Sequence, residues 1–387
     1  MSIREKGEGS LYFEKSRGLW TYEVTYSDAN GKSRRKKFRG KTKAIAKSKS
    51  ENFLNPETTL GYLKDLKSWL VYWLENMKHN SVAGKTFEKY QSNLVQYIIP
   101  YFGAKKVEDL SYEEIQRHFF WLQNNGGRAG KGISPSTIRS ARRTLIQAID
   151  DGIKMGFFRR NIVKMTNAPK ITKEKIIVLS PQEENAMMTA AKKLDDEYYS
   201  KMLPELLQLT LRTGMRRGEV FGLSWQDIDF DGCYITIRRQ LTEEVGKGLV
   251  LREPKTQTSC RRISIDISDV KALAAYKKWQ QEYFDGIPGA EKFNDFVFRS
   301  AMGTPLRTSN FLRRHFHKLI ESCGIDEHFR FHDLRHTHAT RLLQKNINPK
   351  VVQERLGHSS IKVTMDTYSH VLPDMQQTAV AALGERI

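Results

Sequence analysis

The chain has 387 residues, with 64 Lys and Arg against 44 Asp and Glu, a formal net charge of +20. That length supports two or three domains with a sizeable core, and so basic a balance points to a polyanionic partner, nucleic acid first. Three widely spaced cysteines, Cys233, Cys260 and Cys323, suggest neither a disulfide framework nor a cysteine zinc site. No run reaches the length of a membrane span and no signal-peptide core opens the chain, so reduced thiols in a cytoplasm are expected. No solenoid period and no low-complexity tract is present.

Residues 10–54 read as a small sheet followed by a helix. Trp20, Tyr22, Val24 and Tyr26 alternate onto one strand face, and Asn30-Gly31 marks the tip of a turn. The next strand carries Arg34, Arg35, Lys36, Lys37 and Arg39, and Thr42 can cap a helix to about Leu54. Residues 1–55 hold 14 Lys and Arg against six Asp and Glu. A charged strand is commonly a solvated face. Here it follows an aromatic face on a sheet too small to need so many cations, so those five residues are expected to contact DNA.

Residues 57–165 read as an all-α bundle. Leu63, Leu66, Leu70, Trp73 and Leu74 recur at the helical period. A second helix stops near Pro100 and Gly103, a third opens on a Ser111/Glu114 capping box, and a fourth takes Pro135 in its first turn. The aromatic stripes are expected in the core rather than as a base-stacking platform. "TNAPKITKEK", residues 166–175, reads as a linker. From 176 to 387 helices and short strands mix. Ser180, Pro181 and Glu183 form a helix start, and two strands, "CYITIRRQ" and "RRISID", flank a loop holding "EPKTQTS". The expected fold is therefore multi-domain: a small N-terminal β-sheet plus helix (1–55), an all-α bundle (57–165), and a mixed, mainly-α (α+β) domain (176–387).

The last domain carries the chemistry. "RFHDLRHTHATRL", residues 330–342, packs three histidines and three arginines into thirteen positions. His332 and His336 stand four apart, as in the H-E-x-x-H helix of zinc hydrolases, which keeps that reading open. But the second position is Asp333, and Arg335 lies near the same face, so the set suits an anion such as phosphate better than a cation. "TGMRRGEV" places Arg216 and Glu219 at a helix start, Lys255 sits in the inter-strand loop, and "LGHSSIKVTMDTYSH" puts His358 and Tyr368 ten residues apart. Each motif alone is weak; their order and spacing together are specific.

Together they resemble the tyrosine recombinases, in particular the integrases of phages and conjugative transposons. The resemblance spans nearly the whole chain and is most specific over residues 176–387. It implies an arm-type DNA-binding domain at the N-terminus (a three-stranded sheet plus helix), a core-site-binding bundle, and a catalytic domain. It assigns Tyr368 as nucleophile, Arg216 and Arg335 as the two arginines, Lys255 as the hairpin lysine, and His332 and His358 as the two histidine positions. The implied partners are double-stranded DNA at core and arm-type sites, a homotetramer on that DNA, and accessory DNA-bending or excision proteins. The implied setting is a bacterial cytoplasm. No cofactor, metal or ATP is implied, because the phosphoester energy is kept in a 3′-phosphotyrosyl bond.

The chemistry stands beside the resemblance. Two permanently charged guanidiniums can neutralise the charge that gathers on an attacked phosphodiester, and His358 can add a donor. A phenol with a pKa near ~10 needs a base, which His332 can be. Lys255 can protonate the departing 5′-oxygen. His336, His338 and His370 read as structural, and Glu219 as a holder of Arg216. A type IB topoisomerase-like enzyme and a non-catalytic DNA-binding regulator remain the alternatives. From Met375 the tail reads as a short helix with Ala379, Ala382 and Leu383 on one side, able to pack on its own domain or on a neighbour.

Overall fold

The computed structural model describes residues 9–27, 33–54, 65–127, 130–171, 176–244, 246, 248–253 and 260–369. The Asn30-Gly31 turn, Leu63, Lys255, His370 and the helix expected after Met375 lie outside the described residues, as does the side chain of Arg34. The chain divides into two compact units, residues 1–173 and 174–387.

The first unit opens with an antiparallel sheet in the order β1 (Ser10–Glu14), β2 (Leu19–Ser27), β3 (Ser33–Gly40). Helix α1 (Lys43–Leu54) follows, and Thr42 Oγ1 accepts the Ile45 amide at 3.3 Å. The register pairs Val24 with Lys36 and Glu23 with Lys37. Side chains alternate across the pleat, so Arg35, Lys37 and Arg39 share one face and Lys36 lies on the other. Part of the basic run serves the sheet itself: Arg39 pairs with Glu14 at 2.8 Å and Lys37 with Glu23 at 3.7 Å.

The bundle comprises α2 (Leu66–Tyr72, continued by a π-turn Trp73–Lys78), α3 (Gly84–Tyr97), α4 (Ile99–Phe102), α5 (Tyr112–Asn125) and α6 (Pro135–Lys154). Trp69 and Trp73 are buried, and each indole donates to α6: to the Ala148 carbonyl at 3.1 Å and to Asp151 at 2.9 Å. As the sequence suggests, α3 stops near Pro100, at Tyr97; the short α4 that follows takes Pro100 in its first turn, where its missing N–H costs nothing, and ends before Gly103. Ser111 caps α5, but the Glu114 carboxylate turns to Lys105 at 2.6 Å rather than completing the capping box. The aromatic stripes divide: Trp69 and Trp73 are core, while Phe120, Trp121 and Tyr101 stay exposed.

The second unit contains α7 (Pro181–Lys192), α8 (Glu197–Thr213), α9 (Arg217–Phe221), β4 (Ile228–Asp229), β5 (Tyr234–Ile237), β6 (Gln240–Glu244), β7 (Gly248–Arg252), β8 (Arg261–Ser264), α10 (Ile267–Phe284), α11 (Thr308–Phe311), α12 (His317–Ser322), α13 (Asp333–Gln344), α14 (Pro349–Leu356) and α15 (Ile361–Tyr368). Ser180 and Glu183 form the complete capping box of α7. β5 pairs with β8 as the sequence suggests, but the intervening stretch is not all loop: β6 and β7 form a separate hairpin. The main core gathers around α8, with Leu203, Leu206 and Leu207 fully buried. A smaller cluster, Ala339, Leu343, Val352, Leu356 and Tyr368, joins α13, α14 and α15. Among the described residues no helix is long and apolar enough to cross a membrane.

Candidate active site

Two glycine reversals build the floor of the site. Gly214 ends α8 at φ 65° and Gly357 ends α14 at φ 67°, in the left-handed region that side chains with a Cβ avoid. A Cβ at Gly214 would stand 2.5 Å from the His338 ring, and one at Gly357 would stand 3.0 Å from the Arg261 side chain. Both positions therefore require glycine. The carbonyls around these turns meet two arginines. Arg335 donates to the Gly214 and Leu356 carbonyls, each at 2.8 Å, and Arg216 donates to the Gly357 carbonyl at 2.7 Å.

Glu219 holds the cations together. Its buried carboxylate accepts from the Arg216 amide at 2.8 Å, from Arg216 Nη1 at 2.8 Å, and from both terminal nitrogens of Arg261 at 3.1 and 2.8 Å. Burial pushes its pKa up, but the hydrogen bonds and charges of Arg261 and Arg216 outweigh that and hold it below the ordinary carboxylate value. Arg335 is 2% exposed. Burial, then the Arg216 charge, push its guanidinium down to about 9, so it still carries its proton at neutral pH. The Arg216 side chain stays one-third (33%) exposed, so the cluster is open to a ligand on that side. Three guanidiniums against the Glu219 carboxylate leave excess positive charge, which suits a phosphodiester whose attacked form carries more charge than its resting form.

The imidazoles are neutral at neutral pH. Burial, followed by the charges of Arg335 and Arg216, pushes His358 to about 3. Desolvation, His336, Arg335 and Arg216 push His332 down in the same way, although its ring reaches the surface. His358 Nδ1 contacts Thr364 Oγ1 at 2.9 Å, which fixes the ring and leaves Nε2 as its second polar atom. Tyr368 is the last residue of α15 and is 1% exposed. Burial raises its phenol to about 12, against the pull of Arg335.

Of the residues singled out in the sequence, Arg216, His332, Arg335, His358 and Tyr368 come together here. Lys255 lies outside the described residues. Two further members escape a sequence reading. Arg261, the first residue of β8, is only one of several cations near Lys255 in sequence, yet its side chain is buried against Glu219 and donates to the Arg355 carbonyl at 2.7 Å. His336 reads as structural, yet its Nδ1 lies 2.7 Å from the Tyr368 hydroxyl. The signal for His336 was its four-residue spacing from His332, which places both on one helix face. His338 is structural as expected: it contacts the Leu211 carbonyl at 2.8 Å and receives Arg355 Nε at 3.2 Å.

A buried and a half-buried arginine, neutral histidines and a tyrosine at the end of a helix suit phosphoryl transfer on an anionic chain. Residues 178–375 match the Phage integrase family, and residues 65–120 match the Phage integrase, N-terminal SAM-like domain. The chain is 30% identical to a tyrosine recombinase XerC-like protein of Caldanaerobacter subterraneus subsp. tengcongensis, over 94% of this chain and 96% of that one. Its fold is similar to that of the Tn1549 transposon integrase in complex with transposon right end DNA (TM-score 0.67, 21% identity, 83% of this chain, 100% of that chain). It is also similar to a lambda integrase tetramer bound to a Holliday junction (TM-score 0.56, 20% identity, 96% and 98%). The chain belongs to the phage integrase family of tyrosine recombinases. It is a site-specific DNA recombinase, a strand transferase that serves the integration and excision of mobile elements.

Proposed function

We propose that this recombinase cuts DNA with the Tyr368 hydroxyl, which attacks the scissile phosphate and forms a 3′-phosphotyrosyl bond while a 5′-hydroxyl departs. Arg216 and Arg335 grip the non-bridging oxygens, and His358 adds a donor through Nε2. The phenolic proton leaves toward the imidazoles at the start of α13, where the sequence offers His332 as the base. Lys255 supplies the proton that the 5′-oxygen needs. The observation that carries this reading is geometric: Arg335 and Arg216 are anchored on the Gly214, Leu356 and Gly357 carbonyls, and the Tyr368 hydroxyl lies 2.7 Å from His336 on the helix that carries Arg335. Incubating the protein with nicked suicide DNA bearing its core site should trap an adduct that survives denaturation. Peptide mapping should find the nucleotide on Tyr368. An adduct on any other residue overturns the assignment.

The domain roles belong to the same proposal: residues 1–55 bind an arm-type site, 57–165 and 176–387 bind the core site, and 166–175 link them. A groove lined by Lys89, Arg139 and Arg143 with Ser136 and Ser140 gives the bundle a basic face for phosphate contacts. On the N-terminal sheet Arg35 and Lys36 are exposed, while Lys37 and Arg39 are shared with Glu23 and Glu14. Exchanging two duplexes takes four cuts, and one nucleophile per chain makes four protomers the smallest complete assembly, closed as a ring. Accessory DNA-bending or excision proteins would act on this assembly in the bacterial cytoplasm. A chain starting near Asn55 should keep core-site cleavage and lose paired-site recombination. The full chain's arm-site binding should weaken steeply with salt as each neutralised phosphate releases counterions. Arm-site binding that ignores salt, or full recombination by the shortened chain, overturns the arm role.

A further inference from the structure

From the contact between α13 and α15 we propose that His336 is the group that takes the phenolic proton of Tyr368 during strand cleavage. This rests on Tyr368 being the nucleophile. His336 Nδ1 stands 2.7 Å from the Tyr368 hydroxyl, with ring centroids 5.5 Å apart. Among the described residues it is the one imidazole in hydrogen-bond contact with that oxygen. His332, one helical turn earlier, meets His336 edge-to-face with centroids 5.0 Å apart.

The environment makes His336 an acceptor. Burial lowers its pKa, Asp333 opposes that, and Arg335 and Arg330 add to it. The groups that face it are His332, Asp333, Arg335 and Arg330 from its own helix and the preceding turn, Tyr368 from α15, and His358 from the turn before α15. A neutral ring with its proton on Nε2 has a lone pair on Nδ1, and the phenol donates into it. Asp333 is 1% exposed, and its Oδ1 has no hydrogen-bond partner among the described residues. Its buried negative charge favours the imidazolium that forms.

The step balances. The Oη–H bond breaks and the proton moves to His336 Nδ1. The Oη–P bond forms and the P–O5′ bond breaks, and O5′ takes a proton from the ammonium of a lysine. On resealing, the O5′–H bond breaks and its proton returns to the lysine amine, the O5′–P bond forms, the P–Oη bond breaks, and the imidazolium returns its proton to Oη.

The test is single-turnover cleavage of a nicked suicide duplex by the full chain across pH 5–8. His336→Asn keeps an amide near the Nδ1 position but cannot take the proton. It should bind DNA and melt like wild type, and cleave about 10²–10⁴-fold more slowly. Wild-type cleavage should fall about tenfold per pH unit below the His336 pKa, which lies under 6.5. That acid limb should vanish in His336→Asn and persist in His332→Asn. A 5′-phosphorothiolate substrate, whose sulfur leaves without a proton, should not rescue His336→Asn. Wild-type rate with an unchanged acid limb in His336→Asn overturns the proposal. So does loss of the limb in His332→Asn alone, or rescue by the thiolate, which would make His336 an acid. Tyr368→Phe run in parallel separates the two levels: an adduct from that variant sinks the nucleophile itself, whatever His336 does.

Discussion

Tyr368→Phe should bind its core site like wild type and leave no covalent adduct on denaturing gels. The variant removes one oxygen and keeps the ring. That ring packs with Ala339, Leu343, Val352 and Leu356, and its apolar contacts are untouched. The lost hydrogen bond is the one to His336. A neutral bond of this kind contributes about 1 kcal/mol net, so the melting temperature should move by only about 2–4 °C for a unit of this size. Cleavage behaves differently. Loss of a covalent nucleophile costs on the order of 10⁶-fold in other enzymes, enough to remove the adduct from view. A quantitative gel with matched DNA occupancy decides the matter. Undiminished adduct would mean that another residue attacks the phosphate.

Glu219→Gln should be the most destabilising single change in the site. The carboxylate is 3% exposed and accepts from both Arg216 and Arg261. Gln keeps the shape but removes the charge, so Arg216, Arg261 and Arg335 face one another without a counter-ion. Breaking a buried ion pair from one side costs about 3–5 kcal/mol, on the order of 10 °C in melting temperature here. Cleavage should fall as well, because Arg216 loses the partner that aims it. Acid carries the same signature. The folded pKa of Glu219 is depressed below its ordinary 4.5, so its contribution is fully present above 4.5 and is lost as pH falls through the folded value. Wild type should therefore lose stability in that acidic window, and Glu219→Gln should lose less there. Thermal melts of both proteins from pH 3 to 7 test this. A variant that melts within about 2 °C of wild type at pH 7, a shift worth no more than ~1 kcal/mol, would show that the arginines do not depend on this carboxylate.

Local chemistry made much of this molecule legible in one dimension. The Ser180 capping box, the Thr42 cap and the strand pair β5–β8 follow from residue type and spacing, because their partners lie within a few residues or on neighbouring runs. The two arginines, two histidines and the tyrosine were visible because each sits in a short motif of residues that an ordinary core would reject. Tertiary structure decided the rest. The β6–β7 hairpin was hidden because QLTEE and GLVLR are short runs without clear alternation, which their pairing alone defines as strands. The split of the basic strand between two faces, with Arg39 and Lys37 drawn to Glu14 and Glu23, follows from register, which charge counting does not see. Most of all, the roles of Arg261 and His336 arise from separations of 42 and 32 residues, to Glu219 and to Tyr368. A buried cation looks like a surface cation in sequence, and one helix face can carry two histidines of the same spacing and different duty. Only the folding of α15 back onto α13 chooses which imidazole meets the phenol.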